Sequence, residues 1–181
     1  MDDEEARTRL LDTAEALFYT HGIQAVGMDR IRTASGVPLK RLYRLFPAKE
    51  SLVTAYLERR DGRWLNSLRA AATRPSDPRD RVRAVFDWLA EWFAEPDFRG
   101  CAFINAYGEL GPTAPEVVRT HKSELRTLLA DLTTGPPTLA DQLLILVEGA
   151  TVLASFTPGP TPAHRAREVA ELLVPATDPK G

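Results

Sequence analysis

The sequence predicts an all-α fold of about nine helices, and three observations lead there. Apolar residues recur at helical spacing, i, i+3, i+4 and i+7, in one segment after another. No stretch alternates apolar and polar residues for the length that a half-buried strand needs. Glycine and proline fall at the ends of the periodic segments, as at His21-Gly22, Gly36, Pro38, Pro47 and Pro115, where helices start and stop. With 181 residues and an apolar fraction of 44%, the chain has enough material for a packed core.

The first helix is expected in "EEARTRLLDTAEALFYTHG", where Leu10, Ala14, Leu17 and Phe18 form an apolar stripe and Gly22 closes the helix. A short second helix fits "MDRIRTAS", with Gly27 as a modest N-cap and Gly36 as its stop. Pro38 suits the first turn of a third helix, "PLKRLYRLF", which must end before Pro47. A fourth begins near Ala48 and runs past Leu65 to about Ala72, interrupted in composition only by Gly62. Val82, Val85, Phe86, Leu89 and Phe93 give "VRAVFDWLAEWFAE" a core face, with Trp88 and Trp92 on the adjacent arc. After the break "PDFRG" come "CAFINAYGELG" and then "PEVVRTHKSELRTLLADLTT", striped by Val118, Leu125, Leu128, Leu129 and Leu132. The last two helices are "TLADQLLILVEGATVLASF" and "AHRAREVAELLV", separated by the turn "TPGPTP"; the tail 176–181 is expected to be disordered.

Charge narrows the function. The formal net charge is -2, so contact with an anionic polymer must come from a local patch. Such a patch exists: Arg30, Arg32, Lys40, Arg41, Arg44 and Lys49 face a single acid, Glu50, between residues 30 and 50. Cys101 is the only cysteine and reads as a small buried hydrophobe, with neither a disulfide framework nor a cysteine zinc site. No spacing suggests a metal site, a phosphate-cradling glycine loop or a nucleophile beside an acid–base pair, so neither a cofactor nor an enzymatic activity is expected. The reading is of no membrane span and no secretory signal, with the protein in the cytoplasm.

The second and third short helices, joined by "SGVP", form a helix-turn-helix, in which one helix braces the other for the DNA major groove. Ile31, Ala34, Val37, Leu42 and Phe46 are its expected inward residues; Leu39, Lys40, Arg41, Tyr43 and Arg44 point outward. Cations there reach phosphates or guanine acceptors, a leucine meets a thymine methyl, and a tyrosine hydroxyl holds a phosphate. Lys49 adds charge beside the free N–H groups that open the fourth helix.

The segment Ala14–Glu58, with its "SGV…LYRLFPAKESL" core, resembles the DNA-binding domain of the TetR family of bacterial transcriptional regulators. The resemblance implies an all-helical homodimer, most often a repressor that leaves its palindromic operator on binding a small molecule. It assigns Tyr43 and Lys49 to phosphates, and Leu39, Lys40, Arg41 and Arg44 to the region that selects bases. Two positions depart from the pattern: Gly27 stands where threonine is common, and Leu45 where an aromatic or histidine is common.

On this reading residues 1–47 are the DNA-binding domain, 48–74 a connecting helix and 75–175 the ligand-binding and dimerisation domain. Candidate pocket residues are Trp64, Phe86, Trp88, Trp92, Phe103, Asn105, Tyr107 and Glu148, aromatic walls with few polar groups, and a mostly apolar effector is expected. Glu148 lies in an apolar helix and wants a partner; it lines either the pocket or an interface. His121 reads as solvated. The dimer interface is expected at Leu143, Leu146, Val147, Ala150, Ala166, Ala170 and Leu173, making a four-helix contact. Beside the repressor stand a TetR-type activator or ligand-independent regulator and, from another class, a helical enzyme or carrier that no longer binds DNA.

Overall fold

Each helix begins and ends for a local reason. Helix α1 (Asp3–His21) is capped by Asp2, whose carboxylate accepts from the Glu5 backbone N–H at 2.8 Å, and Asp3, Glu4 and Glu5 place negative charge on its first turn. Helix α2 (Met28–Ser35) ends at Gly36, whose φ of 67° lies in the left-handed region that glycine enters without strain. Helix α3 (Leu39–Leu45) follows Pro38, which sits at the N-cap rather than inside the first turn. Helix α4 (Lys49–Ala72) is unbroken through Gly62, as its composition predicts. Then come α5 (Pro78–Phe93), capped by the Asp77 carboxylate, α6 (Ala102–Leu110), a short 3-10 turn (Gly111–Thr113), α7 (Val117–Leu132), α8 (Pro137–Phe156) and α9 (Thr161–Leu173).

The computed structural model of the protein describes residues 1–174, and among these the fold is all-α. The expected disordered tail, 176–181, lies outside the described residues. The chain gathers into two units: Met1–Gly62 with Ala102–Arg119, and Arg63–Cys101 with the residues from Thr120 onward. These boundaries differ from 1–47, 48–74 and 75–175. Helix α4 contributes to both units, and α6 joins the helix-turn-helix helices. A carboxylate explains the latter: Glu109 on α6 accepts from the backbone N–H groups of Ile23 and Gln24, at 2.9 and 2.7 Å.

In the first unit α1 packs on α2 and α3, and the core collects Leu10, Leu11, Ala14, Phe18, Ile31, Val37, Leu42, Phe46, Leu52 and Tyr56. Two inward assignments change. Leu17 is only half-buried while Leu11 is covered, and Ala34 is exposed while Ser35 is 3% exposed. Ser35 takes the inward place because its hydroxyl accepts from the Val37 N–H at 3.3 Å and donates to the Arg32 carbonyl, satisfying the turn.

In the second unit α5, α8 and α9 pack on one another. The predicted core face of α5 is buried in full, as are Leu125, Leu128, Leu129 and Leu132 of the α7 stripe; Val118, also buried, belongs to the first unit. Two ion pairs lace α9 to α5: Arg83 Nε to Glu171 Oε1 at 3.0 Å and Arg167 Nη1 to Asp87 Oδ1 at 2.5 Å. Helix α8 is long and apolar enough to cross a membrane by length and composition alone. Its Leu139, Ala140, Leu143, Val147, Ala150, Thr151 and Ala154 nonetheless pack into this protein core, as those of a core helix do.

Candidate nucleic-acid interface and effector region

The candidate interface rests on α3, a helix of seven residues. So short a helix is marginal alone. Here Leu42 at 0% and Phe46 at 2% exposure anchor it into the first unit, and the Arg7 guanidinium lies 4.8 Å from the Phe46 ring centre. With Leu42 turned in, Leu39, Lys40, Tyr43 and Arg44 are turned out on one face; Leu39 and Tyr43 are each 45% exposed. Exposure of large apolar groups on a basic face is what base-edge and phosphate contacts require. Arg41 is half-buried, its Nη1 donating to the Met1 carbonyl at 2.7 Å and its Nε 3.6 Å from Asp3. Arg44 also pairs with Asp3. Arg30 is exposed on α2.

Lys49, the first residue of α4, is half-buried and lines a cavity of about 320 Å³ with Ile23, Gln24, Glu50, Val53, Leu110, Thr113 and Pro115. A network holds α4 against α1: Arg59 pairs with Asp12 at 2.7 Å and Glu15 at 3.0 Å, and Arg60 pairs with Glu15 at 2.9 Å. Arg60 also lies over the Tyr19 ring, 3.9 Å from its centre. The lysine therefore stands at a defined place beside the helix-turn-helix.

The candidate effector residues are divided between the units. In the second, Trp64 of α4 meets Trp88 at 5.0 Å, Trp92 at 5.5 Å and His121 at 5.2 Å between ring centres, and Trp92 meets Phe98 at 5.0 Å. Trp88 donates to Ser67 Oγ at 3.1 Å. His121, expected in solvent, is 2% exposed because its ring packs edge-on to Trp64. Phe86 is fully buried in the core of α5. Glu148 has the partner that its apolar helix demands: Lys122 Nζ donates to its Oε1 at 2.7 Å and also approaches Cys101 Sγ at 3.3 Å. Phe103, Asn105 and Tyr107 lie on α6 in the first unit. Phe103 is buried, Tyr107 is 52% exposed, and Asn105 borders a crevice of about 10 Å³, no larger than a water molecule.

The expected interface residues sort into two groups. Leu143, Val147 and Ala170 are at most 1% exposed, covered by their own chain. Leu173 is half-buried against the same core. Leu146, Ala150 and Ala166 line an open groove of about 490 Å³ with Ile145, Gly149, Leu153 and Val169, although the two alanines are themselves buried in the core. Of this lining Ile145 is 70% and Leu153 61% exposed, and further along the same two helices Phe156 is 82% and Leu172 83% exposed. The sequence reading named Leu146, Ala150 and Ala166 of this stripe but not Ile145, Leu153 or Val169, because α8 is apolar nearly all round and periodicity then cannot say which side faces in. Among the described residues, no group of three or more His, Cys, Asp or Glu is placed to hold a metal ion.

With this geometry in place, comparison with known proteins gives one answer. Residues 10–56 match the model of the bacterial regulatory proteins of the tetR family. The crystal structure of a TetR-family transcriptional regulator from Streptomyces coelicolor superposes with a TM-score of 0.84, at 32% identity, covering 94% of each chain. An uncharacterized HTH-type transcriptional regulator of Mycobacterium tuberculosis is 29% identical, covering 90% of this chain and 91% of its own. The HTH-type transcriptional activator FasR of Mycolicibacterium smegmatis is 34% identical over 56% of this chain and 46% of its own length. The chain belongs to the TetR family of bacterial regulatory proteins, and it is a DNA-binding transcriptional regulator.

Proposed function

We propose that the protein is a dimeric cytoplasmic repressor, without enzymatic activity, that leaves a palindromic operator when a small apolar or aromatic molecule binds its second unit. The carrying observation is the outward face of α3, where Leu39, Lys40, Tyr43 and Arg44 stand open on a helix held by α1 and α2. Leu39, Lys40, Arg41 and Arg44 read base edges, while Tyr43 and Lys49 hold phosphates. A helix this short reads too few bases for a unique site, so two copies act together. The exposed apolar stripe on α8 and α9 is the surface on which the second copy seats.

The effector's walls are Trp64, Trp88 and Trp92. Their rings touch one another, so a ligand enters by parting them. Trp64 lies on the same helix as Lys49, about 22 Å along its axis at 1.5 Å per residue. A ligand wedged at Trp64 tilts α4, and operator affinity falls only by as much as the ligand prefers the tilted form. FasR bears the name of an activator, and the same face of α3 would serve one.

Footprinting on duplexes selected from a randomised pool tests the DNA reading. Two protected half-sites, centred roughly 34–36 Å apart or a multiple of it, support it. One asymmetric half-site bound by a monomer overturns it. A reporter behind the selected site separates repression from activation.

A further inference from the structure

The acidic start of the chain meets the basic face of α3. Asp2 caps α1, so Asp3 stands in the first helical turn rather than on a loose end, and α1 packs on α3. From there one carboxylate oxygen of Asp3 pairs with Arg44 Nη2 and lies 3.6 Å from Arg41 Nε. The Met1 carbonyl accepts from Arg41 Nη1 at 2.7 Å, taking a second of that side chain's donors. Lys40, the third outward cation, makes no ion pair among the described residues.

We propose that Asp3 is a specificity-determining positioning residue, which aims Arg41 and Arg44 at base edges and keeps them from phosphates. The inference rests on α3 being the reading helix.

Two physical arguments carry it. A guanidinium has five N–H donors in a rigid planar fork, so a carboxylate held on one edge fixes where the other edge points. Among the described residues, Arg44 keeps Nε and Nη1 free, and Arg41 keeps Nη2. Second, the carboxylate's charge discriminates between targets. A phosphate carries a full negative charge and is repelled by Asp3, whereas guanine O6 and N7 carry only partial charges and are repelled far less. Without Asp3 the arginines fall back on phosphates, the strongest and least sequence-dependent attraction that DNA offers.

The test compares Asp3→Asn with Glu4→Gln, which removes the same charge one residue away from a side chain that makes no ion pair among the described residues. Each is titrated by fluorescence anisotropy, over a range of salt, on a duplex that the wild-type protein selects from a randomised pool and on its scrambled counterpart. Asp3→Asn is expected to tighten binding to the scrambled duplex and to lower the selected-to-scrambled ratio about 5- to 10-fold. Its salt slope on the scrambled duplex should steepen by about one unit for each arginine that turns to phosphate. Glu4→Gln should shift both duplexes together and leave the ratio unchanged. Asp3→Glu, which restores the charge, should recover most of the ratio. Circular dichroism confirms that the variants fold. If Asp3→Asn and Glu4→Gln change the ratio equally, or neither does, the positioning role is wrong while the reading of α3 stands. If the wild-type protein shows no preference between the duplexes, both fall.

Discussion

Removing the Phe156 side chain should take the proposed dimer apart without unfolding the subunit. Phe156 is 82% exposed at the end of α8. Full burial of a phenylalanine contributes about 1.5–3 kcal/mol, so covering that exposed fraction contributes about 1.2–2.5 kcal/mol. A two-fold contact buries the residue twice, which gives about 2–5 kcal/mol per dimer, or roughly 30- to several-thousand-fold in the dissociation constant. Phe156→Ala should show this loss in sedimentation velocity over a dilution series, with the thermal transition of the monomer almost unmoved. The matched control is Leu143→Ala on the opposite side of α8, 0% exposed within its own chain. That change empties core volume and should cost about 2–5 kcal/mol of subunit stability. Its dissociation constant should change little as long as the subunit stays folded. A Phe156→Ala dimer as tight as wild type would put the contact elsewhere. So would a folded Leu143→Ala subunit that no longer dimerises.

Tyr43→Phe and Lys49→Ala should weaken binding to selected and scrambled duplexes alike, and Lys49→Ala should lower the salt slope by about one unit; a changed sequence preference in either would refute their assignment to phosphates. Glu109→Ala leaves the Ile23 and Gln24 N–H groups without their carboxylate, at about 1–3 kcal/mol, and should speed amide exchange at those two positions first. Glu171 is held below its ordinary 4.5, first by the Arg83 hydrogen bond. A depressed carboxylate adds stability above its unfolded value and loses it as the pH falls through the folded one. The stability gap between wild type and Glu171→Gln, followed by thermal melts, should therefore be open at pH 7, by no more than about 1 kcal/mol after solvent screening, and closed well below pH 4.5. A gap that persists in acid would mean that packing, not charge, separates the two.

The fold was legible because helix signals are local. Gly22, Gly36 and Pro38 mark ends that backbone geometry imposes, and the stripes of α5 and α7 are too regular to face anywhere but inward. What stayed hidden depends on contacts far apart in sequence. Asp3 read as part of an acidic start, and nothing near it shows that Arg44, 41 positions away, is its partner. His121 read as solvated because its neighbours on α7 are polar; its ring packs against Trp64 of α4, 57 positions earlier in the chain. The same limit divided the candidate pocket. Aromatic surplus on "FDWLAEWF" and "CAFINAY" is a property of composition, and composition cannot say that α5 and α6 belong to different units.

The chemistry of the effector follows from the charges that the second unit has already spoken for. Glu148 read as a carboxylate in apolar surroundings that wants a partner, in the pocket or at an interface. It is held by Lys122 at 2.7 Å, and both side chains are about three-quarters covered. A ligand cation would have to take Glu148 from Lys122 and leave that ammonium half-dehydrated; a ligand anion would have to do the reverse. Either exchange gives up a close charge-assisted hydrogen bond to form another of the same kind, with desolvation of a third ion added. A neutral ligand leaves the pair intact and gains from contact with Trp64, Trp88 and Trp92, whose large faces reward area rather than charge. Of the three, the neutral, apolar or aromatic molecule meets the smallest opposing term, and for that reason it is the effector proposed.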